Sequence, residues 1–212
     1  MASKISGDNV IVALPLFQKV CGGAIPTSPH QLVFKPISYQ TAMKVVIEKH
    51  YLHRKAPTSY SYGAYFNNEL VGVCTIGKPA SHTLLKGVCG EEKAKDVFEL
   101  NRLWLDDICP KNSESRFLGW VLRQLPSGLV IVSYADTAQG HNGTVYRASN
   151  WLPVGTSTPF TDYTFGKLDH RSIPKHLRDK SKMIKVTRSV KNRFVYFTNK
   201  NDKKLLKWKI TK

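Results

Sequence analysis

The sequence is short of acid, short of cysteine and without a long apolar run. Against 32 Lys and Arg, its 212 residues set only 15 Asp and Glu, for a formal charge of +17. Its four cysteines, Cys21, Cys74, Cys89 and Cys109, stand far apart with no C-x-x-C pair. That excludes a zinc ribbon and a small disulfide framework and makes reduced thiols in a cytosol the expectation. The longest apolar stretch, Val10 to Phe17, contains Pro15 and falls well short of the roughly 20 residues of a membrane-spanning helix. Asp8 precedes it and Gln18-Lys19-Val20-Cys21 follows, which argues against a secretory signal. Internal repeats and low-complexity segments are also missing. What is plentiful is core material: 42% hydrophobic and 10% aromatic residues exclude a disordered basic tail. The length suits one soluble domain with room for an extension.

The charge is unevenly spread. From Lys167 onward there are 16 basic residues against Asp169, Asp179 and Asp202, a balance of +13 that leaves only +4 for the rest. The chain therefore divides into a body, residues 1–166, and a basic C-terminal extension, residues 167–212, packed on the same domain. Met183-Ile184-Lys185-Val186 and Phe194-Val195-Tyr196-Phe197 have the composition of strands, so the extension is folded. Basic residues interleaved with aromatics fit a polyanion, nucleic acid first of all; a solvated surface with no partner is the alternative. The cations expected to touch DNA are Arg171, Lys175, Lys180, Lys182, Lys185 and Arg188.

In the body, Val10 to Leu16 and Leu32 to Phe34 read as short strands. Ser38 reads as the N-cap of a helix through Thr41 to Lys49. Tyr60 to Phe66 and Leu70 to Ile76 flank Asn67-Asn68-Glu69, a hairpin signal. A polar loop is expected from Lys78 to Lys95, then a strand from Val97 to Leu105. A helix capped by Asn112 or Ser113 runs through Leu125 and stops at Pro126. Leu129 to Tyr134 has the near-continuous apolar character of a strand buried on both faces, and a helix from about Asn142 to Asn150 follows. This order predicts an α+β protein built on a mixed sheet with helices on its faces.

Polar residues gather at three strand ends and helix starts, the junctions where such sheets bind ligands. Asp136, beyond a buried strand, is placed to act as a base or hydrogen-bond acceptor, or to close an Asx turn. Tyr146 is placed to donate a phenolic proton, to stack on a ring, or simply to pack. Asn112, Ser113 and Ser115 offer an anion site at a helix N-terminus or ordinary capping. Arg102, inside an apolar strand, needs a phosphate or carboxylate partner, with Glu99 and Asp136 as structural candidates. His50 and His53 end the first helix, where cationic histidine is favourable, and their spacing also allows metal ligation if a third ligand exists.

His50-Tyr51-Leu52-His53-Arg54, Glu99-Leu100-Asn101-Arg102-Leu103-Trp104, Asn112-Ser113-Glu114-Ser115, Ser133-Tyr134-Ala135-Asp136 and the block Gly140 to Trp151 together resemble the Mom family of phage DNA-modification proteins. The resemblance spans roughly Ile37 to Gly155. It implies a GCN5-related N-acetyltransferase-like fold. It also implies that adenine N6 in double-stranded DNA is converted to a carbamoylmethyl derivative in the cytoplasm of a bacterial host, shielding phage DNA from restriction enzymes. On matching positions it implies Tyr51, Arg102, Ser115, Asp136 and Tyr146 as catalytic residues, Asn112, Ser113 and Ser115 as the cofactor-binding turn, and iron as a metal with His50 and His53 as ligands. One departure is plain: Cys109-Pro110-Lys111-Asn112-Ser113-Glu114-Ser115-Arg116 has no glycine, whereas such folds carry a glycine-rich pyrophosphate loop there. This speaks against an acyl-coenzyme A donor. The rivals are an N-acetyltransferase acting on a small molecule or protein and a non-catalytic DNA-binding protein. An adenine methyltransferase lacks support, because neither a glycine-rich adenosylmethionine turn nor an Asx-Pro-Pro-aromatic motif is present. The donor and the oligomeric state, monomer or homodimer, are left open.

Overall fold

A computed structural model describes residues 24–159, 161–165, 168–169 and 173–211. The strand expected from Val10 to Leu16, Cys21 and Arg171 lie outside the described residues, as does the side chain of Lys180. Ser38 starts α1 (Tyr39–Lys49), its hydroxyl accepting from the Thr41 amide at 3.1 Å. Edge strand β1 (Val33–Pro36) leads into it, and β2 (Tyr60–Phe66) and β3 (Glu69–Gly77) form the expected hairpin. Asn67 and Asn68 both take positive φ, 47° and 66°, the backbone that a two-residue turn between twisted strands requires. Within the expected loop, Ser81 caps a short helix, α2 (His82–Cys89), whose Val88 and Cys89 are buried. Then come β4 (Val97–Leu105), α3 (Ser113–Gln124), β5 (Val130–Asp136), α4 (Thr144–Ala148) and β6 (Leu152–Thr156).

The basic stretch divides in two. Its last strand, β10 (Lys191–Phe197), is inserted between β5 and β6, giving a seven-stranded sheet in the order β1-β2-β3-β4-β5-β10-β6. Phe194 and Val195 there are fully buried, so this segment is central body rather than appendage. The segment after it, with a short 3-10 helix (Lys200–Leu205), packs Leu206 and Trp208 on the same body. Ahead of it, β8 (Leu168–Asp169) and β9 (Ile184–Thr187) join β7 (Thr161–Phe165) in a separate three-stranded sheet.

The large sheet is antiparallel except where β4 meets β5. One face packs Phe98, Leu100, Ile131 and Phe194 against Phe117, Leu118 and Val121 of α3. On the other, Val97, Val130, Val132 and Val195 meet Val88 of α2, and Val73 meets Ala42, Met43 and Val46 of α1. The alternation of odd and even positions along β4 and β5 follows from the two-residue period of a strand.

The sheet opens at its centre. The parallel pairing of β4 and β5 covers only Val97 to Glu99 against Val130 to Val132, although both strands continue. The register of β4 on β3 shifts between the Thr75–Arg102 and Ile76–Leu100 pairs, a bulge at Asn101. A bulge bends its strand and sharpens the twist, which turns the end of β4 away from β5. Asn101 fixes the bulge: its amide donates to Pro57 O and its carbonyl oxygen accepts from Thr75 Oγ1, both at 2.6 Å. Across the split, Ser133 Oγ donates to Leu100 O at 3.0 Å and lies 2.8 Å from the Tyr146 hydroxyl.

Candidate active site

A groove of about 450 Å³ lies at this split, on the side of α1 and α2. Tyr51 and Arg54 come from the end of α1, Glu99 and Arg102 from β4, Tyr134 from β5, and Arg188, Ser189 and Lys191 from the approach to β10. Each is there for a local reason. The α1 helix ends at His50, whose Nδ1 accepts the Leu52 amide at 3.1 Å and whose ring stacks on Tyr51 at 4.4 Å; this turns Tyr51 into the groove. His141 meets the far edge of Tyr51 at 5.8 Å. Placed by the bulge, Arg102 is 6% exposed and donates to Arg54 O at 3.1 Å and Asn101 O at 2.6 Å. The expectation is a phosphate or carboxylate partner; among the described residues its hydrogen bonds go to backbone carbonyls instead, so its charge has no bonded carboxylate there and lines the groove.

Asp136 is the most heavily bonded acid of the site. Its Oδ1 accepts from the Ala138 amide at 3.1 Å and from Ser189 Oγ at 2.6 Å, and Lys191 Nζ lies 3.2 Å from Oδ2. Burial works to raise its pKa, but Ser189, Lys191 and the Ala138 amide together hold it below the usual aspartate value. The Asx turn anticipated as an alternative is formed. Asp136 therefore stands behind Ser189 and Lys191, which line the groove in its place.

Glu99 is the opposite case. Burial raises its pKa above the usual glutamate value, against the opposing pull of Arg102 and Lys191. Its carboxylate accepts no hydrogen bond from any described residue. Tyr134, pushed up to about 12 by burial and then by Glu99, is a neutral phenol at any working pH. Tyr51 is likewise raised, by burial and then by Asp136. The sequence marked Glu99 only as a partner for Arg102, and Ser189 and Lys191 not at all, because nothing local connects them to β5.

The remaining expected residues lie on the other face. Tyr146 stacks on Phe194 at 4.9 Å and meets Trp151 at 5.2 Å, and burial raises its pKa well above that of free tyrosine. A smaller cavity of about 260 Å³ between it and His141 shares the Tyr134 wall with the groove. Gly143 is required there: its φ is +84° and a Cβ would overlap the Phe194 ring. Ser115 belongs to neither opening; its hydroxyl donates to Asn112 O at 3.1 Å. Asn112 takes φ 71° and makes no side-chain cap, and Ser113 Oγ is buried with no hydrogen-bond partner among the described residues.

Two cofactors implied by the resemblance meet these residues poorly. Around the turn ahead of α3, the carboxylates of Asp106, Asp107 and Glu114 line a cavity of about 400 Å³, and the Ser113 amide is already given to Pro110 O at 3.1 Å. A pyrophosphate would face three carboxylates there, with Lys111 beside them, so the turn does not suit coenzyme A. For iron, the Nδ1 of His50 accepts the Leu52 amide, so its neutral ring carries the proton on Nε2 and offers no lone pair, which leaves His53, with Nδ1 against Ile47 O, a single free nitrogen. Arg102 and His141 press further positive charge on His50, and no described group of three His, Cys, Asp or Glu side chains is arranged to hold a metal. The pair does not fit a metal site.

The sheet in this order, opened between its two parallel central strands and covered by helices on both faces, is the mixed α+β architecture expected from the sequence. Solved structures with similar backbones include the ribosomal-protein-S18-alanine N-acetyltransferase of Escherichia coli, 7% identical, with a TM-score of 0.49 over 79% of this chain and 94% of that one. Another is Arabidopsis thaliana NAA60 in complex with acetyl-CoA, 11% identical, with a TM-score of 0.49 over 78% and 98%. The model of the Mom protein family matches residues 31–212, and the chain belongs to that family. It is 29% identical over 223 residues to the methylcarbamoylase Mom of Escherichia phage Mu, covering 95% of this chain and 90% of the relative.

Proposed function

We propose that this protein is a phage DNA-modification enzyme that converts the N6 amine of adenine in double-stranded DNA to N6-carbamoylmethyladenine. The observation that carries the reading is the likeness to a methylcarbamoylase along 95% of the chain. Its setting is the bacterial host cytoplasm, and its benefit is escape from restriction enzymes that read unmodified adenine.

The chemistry asks for three things. Adenine N6 is a weak nucleophile because its lone pair is delocalised into the ring, so an acceptor must draw on its hydrogens. The amine is shielded in a duplex, so the base is extruded at a cost of a few kcal/mol. The duplex must then be held while the base is out. Tyr51 and Tyr134 are suited to contact an extruded ring within the groove. Arg54, Arg102, Arg188 and Lys191 supply cations for the phosphate of the extruded nucleotide and for the donor. Tyr146, kept protonated, serves as a hydrogen-bond donor towards the donor's carbonyl, and Ser115 supports the α3 turn next to it.

The small sheet is the proposed duplex contact. Tyr163 and Phe165 are exposed on β7, with Lys185 directly opposite Tyr163 on β9, a surface of cations among aromatics. Lys175 and Lys182 extend it, and Lys180 and Arg171 join them on sequence position alone. Arg188 has a second duty, since its guanidinium bonds the buried Asp162 at 3.0 Å and anchors the sheet.

The test is plasmid DNA from bacteria expressing the chain. It should resist restriction enzymes whose sites contain adenine and remain sensitive to those whose sites contain none. Full sensitivity to both, with the folded protein present, overturns the reading.

A further inference from the structure

Resting on that reading, we infer that Glu99, and not Asp136, is the catalytic residue that accepts the hydrogen bond, and finally the proton, of the adenine N6 amine. Within the groove the reacting amine needs an oxygen with a free lone pair, since a carboxylate already surrounded by donors has little left to offer. Asp136 has its oxygens committed to Ala138, Ser189 and Lys191. Glu99 lines the groove itself and accepts from no described donor.

Its position adds a second argument. Glu99 is the last β4 residue paired with β5, opposite Val132, so it stands at the apex where the split begins. Tyr134, two residues further along β5, forms the wall shared by the groove and the cavity on the other face. An adenine resting against Tyr134 within the groove would present its amine towards Glu99.

The surrounding charges suit a proton acceptor. Burial makes Glu99 a stronger base than a solvated glutamate, while the charges of Arg102 and Lys191 favour its ionised form. Lys191 is kept in this position by Asp136, which makes Asp136 a positioning residue for the acceptor. In the step itself, a bond forms between N6 and the methylene carbon of an activated carbamoylmethyl donor. The bond from that carbon to its leaving group breaks, and the leaving group keeps the electron pair. One N6 hydrogen passes to Glu99 as a proton and is later lost to solvent, so the amine ends with one hydrogen replaced by the carbamoylmethyl group.

The experiment compares wild type, Glu99→Gln and Glu99→Asp in cells carrying a plasmid, reading N6-carbamoylmethyladenine in the plasmid nucleosides. Purified proteins are checked alongside for thermal unfolding and for DNA affinity. Glu99→Gln keeps the shape but not the basicity and should lower modification at least 100-fold, with unfolding temperature and DNA affinity held. Glu99→Asp keeps the charge facing Arg102 and Lys191 but withdraws it by one methylene, and should retain a small fraction of activity; a displacement on the order of 1 Å can cost 100-fold. Should the glutamine variant not fold, the aspartate variant decides alone, with at least a tenfold loss expected. Wild-type modification by either folded variant overturns the assignment. Unmodified DNA from wild type overturns the functional reading and the role of Glu99 with it.

Discussion

His50 is 5% exposed, uses its Nδ1 as an acceptor and faces the Arg102 guanidinium. Burial first, and then the charges of Arg102, His141 and His53, lower its pKa to about 3, against about 6.5 in an unfolded chain. The folded state therefore keeps it neutral while the unfolded state takes up a proton. A group whose folded pKa is depressed contributes stability that is present above the unfolded value and is lost as pH falls towards the folded one. The protein should accordingly lose stability between about pH 6.5 and pH 3, and His50→Asn, whose Oδ1 can still accept the Leu52 amide, should flatten that part of the curve. Thermal unfolding as a function of pH measures it; parallel curves for the two proteins would show that His50 is not the source. Asp136 has the same sign in a lower window, because its partners hold it below the usual aspartate value near about 3.9. Asp136→Asn places an amide donor against Lys191 and should cost about 1–3 kcal/mol of stability at neutral pH, the worth of a charged hydrogen bond. It should also release Lys191 and reduce modification without changing the salt dependence of DNA binding. Unchanged stability in denaturant unfolding would mean that these bonds carry no weight.

Among the elements, β10 explains why part of the site was hidden in the sequence. Caps and turns are local, so Ser38 before α1, Asn67-Asn68 between β2 and β3, and the apolar run of β5 were all readable where they stand. The bond from Ser189 to Asp136 crosses 53 residues and exists only because β10 returns to pair with β5, which no local pattern announces. The helix α2 was missed for another reason. Ser81 caps it and Leu84, Leu85, Val88 and Cys89 form its apolar side, but eight residues flanked by polar and glycine positions give too short a period to distinguish from a loop. The small sheet carries its own prediction. Lys175, Lys182 and Lys185 are exposed, and Lys182 has only a partly solvated ion pair with Asp179 at 3.6 Å; such a pair contributes little to stability. Reversing all three to Glu should leave the unfolding temperature nearly unchanged, weaken DNA binding, and reduce the slope of log affinity against log salt by about 0.9 for each phosphate no longer neutralised. Fluorescence anisotropy over a salt series reads that slope, and an unaltered one would move the duplex to another surface.

For the whole molecule, the +17 charge is shared between two tasks that the sequence alone could not separate. Part of the basic stretch is structural: β10 completes the large sheet and brings Lys191 to the groove. Lys175, Lys182 and Lys185, on β9 and in the turns before it, are exposed, and further lysines follow β10. Under the proposed function, the cations of the small sheet hold the duplex and the groove at the opening between β4 and β5 receives the extruded adenine. The measurement that tests this most directly is mass spectrometry of nucleosides from plasmid DNA taken from bacteria expressing the chain. The expected result is N6-carbamoylmethyladenine, absent from cells carrying the empty vector. Adenine without that group, from cells that contain the folded protein, would contradict it.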